Sequence, residues 1–183
     1  NFFTTKDKVL VVNGGSFGER FVQLCSIHEI PYTEIKLSFG SNLTKEILEV
    51  YENHNYTGFI LQLCETSSGV LYDMQMVGDF CKRNKCFLFV DAVSGFLADK
   101  ISMKEMHINA AITGSQKALA LPPSMSFTIL DEEAQRRCCE NKVKSMYLDY
   151  ADYLKNGERG QTPFTPAVGT LLQMKKKLLR IKT

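Results

Sequence analysis

The 183-residue sequence predicts an α/β fold, a three-layer sandwich built on a mostly parallel sheet. Short apolar runs alternate with segments of helical periodicity along most of the chain, which is the pattern of βαβ units. Several of these runs break into small and polar residues, as buried parallel strands do where they reach a ligand-binding edge. The apolar fraction of 44% can supply a sizeable core, so we expect one domain or a large piece of one.

Composition argues against several kinds of partner and binding site. The net charge of +2, with both signs interspersed, gives no reason to expect a nucleic acid or an anionic membrane surface as partner. No apolar run reaches the roughly 18 residues of a membrane span, and residues 1–5 form no signal peptide. The six cysteines lack C-x-x-C spacings, and the three histidines share no ligand spacing. We therefore expect a cytoplasmic protein without a metal centre.

The first half of the chain contains three predicted strands, the second of them at a sheet edge, over residues 8–13, 32–37 and 57–64. Helical periodicity predicts helices over residues 19–27 and 43–54. The first strand ends in a glycine loop at 14–18. This loop lacks the G-x-G-x-x-G pattern and any Lys-Ser or Lys-Thr pair, so it is a weak nucleotide-binding motif on its own.

The second half continues the alternation before its pattern changes. Helices are predicted over 74–84 and 132–144, a short helical piece over 103–106, and strands over 87–91, 108–114 and 124–130. Pro122 and Pro123 force a turn before the last of these strands. The region from residue 145 to 167 is aromatic and rich in turn residues, and a last helix is predicted from Val168.

Four strand-to-helix junctions, at residues 13–17, 65–69, 91–95 and 113–117, converge on one edge of the predicted sheet. The carboxyl ends of parallel strands meet at that edge, so all four loops can contact a single ligand. Asp91 and Lys117 each follow a strand there. An amine and a buried carboxylate in one crevice suit pyridoxal phosphate, with Lys117 as the imine to the cofactor aldehyde and Asp91 keeping the pyridine nitrogen protonated.

Four motifs in order also give the chain a family resemblance: Asn13-Gly-Gly-Ser-Phe-Gly-Glu-Arg20, Glu65-Thr-Ser-Ser-Gly69, Val90-Asp-Ala-Val93 and Gly114-Ser-Gln-Lys-Ala-Leu119. With them the sequence resembles the class V family of fold-type I pyridoxal-phosphate aminotransferases, the group of alanine-glyoxylate, serine-pyruvate and 2-aminoethylphosphonate-pyruvate transaminases. The resemblance implies an aspartate aminotransferase-like large domain. It also implies transfer of an amino group between a small amino acid or aminoalkylphosphonate and a 2-oxo acid such as pyruvate or glyoxylate.

The resemblance assigns a role to each matching position. Lys117 corresponds to the Schiff-base lysine and Asp91 to the partner of the pyridine nitrogen. Thr66 corresponds to a hydroxyl residue near the cofactor ring and its phenolic oxygen, and Phe17 to the aromatic residue stacked on the ring.

Three further positions correspond to groups that bind the cofactor phosphate. Gln116 and Ser115 lie in the lysine motif, whereas Thr162 matches a segment that in this family comes from the neighbouring subunit. The resemblance therefore implies a homodimer with the active site near the subunit interface. It also implies that residues 1–183 are the central portion of the large domain, without the N-terminal phosphate-loop segment and the C-terminal small domain.

Other interpretations remain open from the sequence. A lyase or desulfurase on the same fold commonly stacks a histidine on the ring and carries one before the lysine, where this chain has Phe17 and Gln116. A third class is a non-catalytic α/β domain that uses residues 14–18 for a nucleotide or serves assembly. Individually, Asp91 could cap a helix, Thr162 could belong to a turn, and Glu65 could be a structural partner of a nearby donor.

Overall fold

The structure, a computed structural model, describes residues 1–181. The helical pattern predicted from Val168 continues over Lys182 and Thr183, which lie outside the described residues. None of the helices within residues 1–181 is long and apolar enough to cross a membrane.

A six-stranded sheet forms the centre of the molecule, in the order β2-β1-β3-β6-β7-β8. The eight strands in chain order are β1 Val9–Asn13, β2 Tyr32–Lys36, β3 Gly58–Gln62, β4 Cys64–Glu65, β5 Val70–Leu71, β6 Phe87–Asp91, β7 Ala110–Gly114 and β8 Ser126–Leu130. The first five strands of the sheet are parallel, and β8 pairs antiparallel with β7. Strands β4 and β5 form a separate hairpin. The predicted mostly parallel α/β sheet is confirmed.

Helices cover both faces of this sheet, which gives the three predicted layers. They are α1 Ser16–Ile27, α2 Lys45–Glu49, α3 Met74–Asn84, α4 Glu132–Glu140, α5 Tyr150–Gly157 and α6 Val168–Ile181. On one face, α2 and α3 pack through Leu48, Val77 and Phe80. On the other face, α1 and α4 pack through Cys25 and Cys138.

Side chains of each strand alternate between these two cores. In β3, Phe59 and Leu61 face the α3 core, while Ile60 faces the α1 core. In β6, Phe89 likewise faces the α1 core. Gln62 and Asp91 each lie two positions after one of these residues, so both end their strands on the α1 side of the sheet.

The ends of α3 follow directly from its sequence. Asp73 caps the first turn because its carboxylate accepts a hydrogen bond from the backbone N–H of Met76 at 3.0 Å. Lys85 ends the helix in the left-handed conformation. This helix has the limits that the sequence predicts.

Other elements differ from their predictions. The helix predicted over 43–54 is reduced to α2, and the chain then turns through Asn53, which adopts a left-handed conformation. Val50, which lies within the predicted helix, is 66% exposed as a result. Residues 103–106 form turns and not a helix. In the turn-rich region, α5 begins where the Asp149 side chain accepts a hydrogen bond from Ala151 N, a helix that the sequence interpretation missed.

Candidate active site

The carboxyl ends of β1, β3, β6 and β7 lie side by side at one edge of the sheet. Asp91 is the last residue of β6, and its register partners are Gln62 of β3 and Ile112 of β7. The loops predicted to converge follow these strands directly or, for residues 65–69, after β4. Parallel pairing therefore gathers the polar residues of four separate segments at this edge.

Asp91 has a mostly buried carboxylate with one local hydrogen bond. Its Oδ1 accepts from the backbone N–H of Val93 at 2.9 Å, and within residues 1–181 this is the only hydrogen bond that the side chain makes. Burial raises the pKa of Asp91, the Val93 N–H lowers it, the nearby Glu65 carboxylate raises it, and Lys117 lowers it. The carboxylate thus interacts with both an acid and the Lys117 amine, and it retains an oxygen that can accept a further proton donor.

Lys117 lies in a tight turn directly after β7, and its side chain is exposed. The turn is closed by backbone hydrogen bonds from Ala120 N to Lys117 O at 2.8 Å and from Leu121 N to Ser115 O at 3.0 Å. The Ser115 hydroxyl is buried; it donates to Pro122 O at 2.7 Å and accepts from Ser124 N at 3.2 Å. In this structure Ser115 therefore supports the lysine turn.

Gln116, the residue before the lysine, is exposed and folds back over Gly114. A Cβ on Gly114 would lie 2.7 Å from Gln116 Oε1, so glycine leaves the space that the amide occupies. Gln116 lines a cavity of about 420 Å³ together with Val93, Thr113 and Ser124. The backbone N–H of Val93 binds the Asp91 carboxylate, so the cavity lies beside the Asp91 edge.

Glu65 is fully buried and connects the second loop to the start of α1. Its carboxylate accepts hydrogen bonds from Gly18 N at 2.8 Å, Phe17 N at 3.4 Å and Ser67 Oγ at 2.6 Å. Ser67 Oγ in turn accepts from Ser16 N at 2.9 Å. A carboxylate at this end also interacts favourably with the helix dipole. The first three backbone donors of α1 are therefore already engaged by protein groups.

These contacts explain the glycines before α1. A Cβ on Gly15 would overlap Ser67 Oγ and approach Glu65 Cδ to 2.8 Å, so a larger residue would push α1 off the loop. Phe17 is half-buried in the first turn of α1, with the Arg20 guanidinium 5.0 Å from its ring centroid. The loop presents this aromatic ring at the strand edge, and its backbone donors, already bound by Glu65 and Ser67, do not form a phosphate cradle.

The two threonines of the predicted site lie in turns. Thr66 is exposed in the turn between β4 and β5, adjacent in sequence to Glu65. Thr162 is exposed, and its hydroxyl donates to Phe164 O at 2.7 Å, which closes a local turn. Within one chain, Thr66 therefore belongs to the Asp91 edge, whereas Thr162 belongs to the segment between α5 and α6.

Two buried polar residues at this edge were missed by sequence reasoning. Gln62 is 1% exposed, and neither atom of its side-chain amide has a hydrogen-bond partner within residues 1–181. The Tyr72 hydroxyl, also buried without a partner there, lies against Gly14, and burial raises the pKa of Tyr72 to about 12. The sequence did contain a signal for Gln62, because this polar residue ends the otherwise apolar run 58–62.

The residues at this edge fit pyridoxal phosphate. Asp91 offers an unpartnered carboxylate oxygen for a protonated ring nitrogen, Lys117 offers a primary amine within electrostatic range, and Phe17 offers an aromatic face.

Comparison with known proteins identifies the family and supports the fold. The family model of class V aminotransferases matches residues 2–169. An uncharacterized aminotransferase of Methanocaldococcus jannaschii is 32% identical over 174 residues, which are 92% of this chain and 45% of that protein. The L-aspartate–glyoxylate aminotransferase of Paracoccus denitrificans is 27% identical over 93% of this chain and 45% of that protein.

A solved structure shows the same relationship. The crystal structure of an aspartate aminotransferase of subgroup IV from Thermus thermophilus superposes with a TM-score of 0.89 and 29% identity, over 98% of this chain and 51% of that one. The chain spans about half the length of the curated relatives it matches. Class V aminotransferases depend on pyridoxal phosphate. This chain belongs to the class V aminotransferase family.

Proposed function

We propose that the full-length protein is a pyridoxal-phosphate-dependent aminotransferase. It transfers an amino group between a small amino acid or aminoalkylphosphonate and a 2-oxo acid such as pyruvate or glyoxylate. The observation that carries the proposal is the mostly buried Asp91 carboxylate at the end of β6, whose pKa is lowered by the Lys117 amine from the turn after the neighbouring strand β7, in a class V chain. Residues 1–183 then form the central portion of the cofactor-binding large domain.

Lys117 and Asp91 carry the chemistry in this proposal. When bound, pyridoxal phosphate supplies an aldehyde and an electron-withdrawing ring that stabilises negative charge on the substrate α-carbon. Lys117 Nζ would hold the cofactor at its aldehyde group and, as a free amine, would move the proton at the substrate α-carbon. Asp91 keeps a proton on the ring nitrogen, because a buried carboxylate favours a cationic partner.

The remaining predicted residues bind and orient the cofactor. Phe17 covers one face of the ring and excludes water from it. Thr66 donates to the phenolic oxygen, and Gln116 lies near the phosphate. Ser115, whose hydroxyl is engaged in the lysine turn, contributes by fixing that turn. Thr162 reaches the phosphate from the neighbouring subunit of a homodimer.

Neither a lyase or desulfurase activity nor a nucleotide-binding function is favoured. The positions at which lyases and desulfurases commonly carry histidines hold Phe17 and Gln116 in this chain. A nucleotide-binding role for the glycine loop would need free backbone donors at the start of α1. Those donors bind Glu65 and Ser67.

The test uses the full-length protein with added pyridoxal phosphate. We expect a visible absorption band that disappears on borohydride reduction, with the label recovered on Lys117 by peptide mapping. Lys117→Ala should lose the band and the activity, while Lys100→Ala, a change of an exposed lysine, should retain both. A panel of amino donors with pyruvate and glyoxylate then identifies the substrates. Absence of the band in the wild type, or its persistence in Lys117→Ala, would refute the proposal.

A further inference from the structure

The side-chain amide of Gln62 is buried and has no hydrogen-bond partner among the described residues. Gln62 ends β3 with 1% of its surface exposed, and both Nε2 and Oε1 lack a hydrogen-bond partner within residues 1–181. Leaving an amide buried and unpaired is costly, which is why most buried polar groups in proteins have partners. An apolar residue at this position would avoid that cost, so the amide calls for a reason outside the stability of the fold.

The strand register directs Gln62 toward Asp91. The two residues are aligned partners in adjacent parallel strands, and both follow residues that face the α1 core. Neighbouring strands are about 4.8 Å apart, so side chains aligned on one face are within reach of each other. On the other side of β3, the Asn13 amide of β1 already donates to Glu19 at 2.8 Å and to Glu34 at 2.7 Å. The second carboxylate oxygen of Asp91 accepts no hydrogen bond within residues 1–181, so the register partner of Gln62 has a free acceptor position.

The surroundings of Asp91 favour an added donor. Besides the Val93 N–H, the charged groups that affect it are Glu65, which opposes ionisation of Asp91, and Lys117, which supports it. In the proposed enzyme the Lys117 amine is committed to the cofactor, and a hydrogen bond from Gln62 adds to the ring nitrogen in offsetting burial and the Glu65 charge. Gln62 Nε2 has no acceptor within residues 1–181, and the spacing of adjacent strands places it within reach of the aligned carboxylate.

We propose that Gln62 is a positioning residue that donates a hydrogen bond from Nε2 to the Asp91 carboxylate and holds it charged and oriented toward the ring nitrogen of the bound cofactor. This inference rests on the proposed function. It assigns the buried amide to cofactor binding. A role in cofactor binding predicts that loss of the amide weakens cofactor affinity, whereas a role in the fold predicts that it lowers stability.

The decisive variant is Gln62→Leu in the full-length protein. Because leucine removes the unpaired amide, the cofactor-free variant should unfold in urea at the same or a higher midpoint than the wild type. The dissociation constant for pyridoxal phosphate, measured by fluorescence quenching, should rise about tenfold, as expected for loss of a hydrogen bond to a charged group. Ile60→Val, on the same face of the same strand, should lower the unfolding midpoint and leave the dissociation constant unchanged.

The pH profile adds a readout that packing alone does not change. Cofactor binding requires ionised Asp91, and loss of a donor to the carboxylate raises its pKa. The acid limb of cofactor affinity should therefore shift upward by about one pH unit in Gln62→Leu. An unchanged dissociation constant and acid limb, or a lower urea midpoint with unchanged affinity, would overturn the inference.

A double-mutant cycle separates this inference from the proposed function. In an Asp91→Asn background, Gln62→Leu should have no further effect on cofactor affinity, because Gln62 acts through Asp91. Equal effects of Gln62→Leu in both backgrounds would contradict the inference alone. If Asp91→Asn itself leaves cofactor affinity and turnover at wild-type values, the proposed role of Asp91 fails, and the role of Gln62 fails with it.

Discussion

At the scale of single residues, the surroundings of Asp91 disfavour its ionised form. Burial and the neighbouring Glu65 both raise its pKa, against the Val93 N–H and Lys117. A carboxylate that costs stability when ionised, at a strand end that meets several loops, is typical of a functional site. The same position would hold asparagine at no loss of the Val93 hydrogen bond, because asparagine Oδ1 accepts that bond equally well.

Asp91→Asn should therefore separate activity from stability. In the full-length enzyme we expect transamination to fall by about 10²-fold or more, since the neutral amide cannot sustain the charge on the ring nitrogen. Without cofactor, the variant should gain stability relative to the wild type as the pH rises. The native wild type holds the Asp91 proton more tightly than the unfolded chain does, so this group's contribution is present at acid pH and is lost as the pH rises through the raised pKa.

Turnover assays and urea unfolding of the cofactor-free protein at about pH 4.5 and 7 measure these two effects. Asp99→Asn, which changes an exposed acid later in the segment after β6, should be neutral in both. Wild-type turnover in Asp91→Asn, or a variant whose relative stability falls toward neutral pH, would contradict the assignment.

At the scale of elements, the seating of α1 determines where the Phe17 ring lies. Glu65 and Ser67 bind the first turn, and Gly18 allows the helix to approach β1 closely. A Cβ on Gly18 would lie 2.6 Å from Asn13 Cα and 2.7 Å from Val12 O, both backbone atoms that cannot move aside. The helix then reaches the core under the site, where Phe21 contacts the Phe89 ring edge-on at a centroid distance of 5.9 Å.

Gly18→Ala should thus displace α1 and the residues that it carries. We expect a loss of about 1–3 kcal/mol in the free energy of unfolding, measured in urea on the full-length protein, together with weaker cofactor binding. Gly169→Ala is the matched control, because Gly169 is helical and nothing lies within 4 Å of its missing Cβ. That change should leave stability unchanged or raise it by up to about 1 kcal/mol. If both substitutions change stability and cofactor binding equally, close packing at Gly18 does not determine the position of α1.

Local signals decided which elements the sequence could predict. For α3, Asp73 and Lys85 mark both ends, and the apolar spacing between them is unambiguous. The pattern at 43–54 is similarly periodic, yet α2 ends after five residues. Periodicity alone does not show whether a tertiary partner exists for each turn, and most helical stability comes from such packing. Asp149 is an N-cap signal for α5 that the surrounding tyrosines and turn residues obscured.

At the scale of the whole molecule, the fold and the ends of the strands could be predicted from the sequence more accurately than the surroundings of the side chains. Asp91 and Lys117 could be identified because strand order in a parallel sheet follows simple rules. The direction of β8 and the engagement of the Ser115 hydroxyl and the Glu65 carboxylate could not, because they depend on pairings between distant segments. The missing hydrogen-bond partner of the Gln62 amide could not be predicted either, because it depends on residues that are distant in the sequence.

The last helix presents an apolar surface that the described residues leave uncovered. Leu172 and Leu179, seven residues apart on α6, are 60% and 59% exposed, and Val168 lies one turn before them on the same side. The homodimer proposed above offers a cover for this stripe, because burying it would contribute about 1.5–3 kcal/mol for each leucine. By contrast Ile27, at the end of α1 and 72% exposed, stands outside the stripe.

Replacing both leucines by glutamate should consequently weaken association of the full-length protein. Loss of two buried leucines, with two charges introduced in their place, predicts a dimer dissociation constant raised by about 100-fold or more, visible as monomer in sedimentation velocity at micromolar concentration. Ile27→Glu adds the same type of charge to an equally exposed apolar site and should sediment as the wild type does. Because Thr162 is proposed to reach the cofactor of the neighbouring subunit, monomerisation should also lower cofactor affinity. A double variant that still sediments as a dimer would exclude α6 from the subunit interface, and a wild type that is monomeric would remove the proposed role of Thr162.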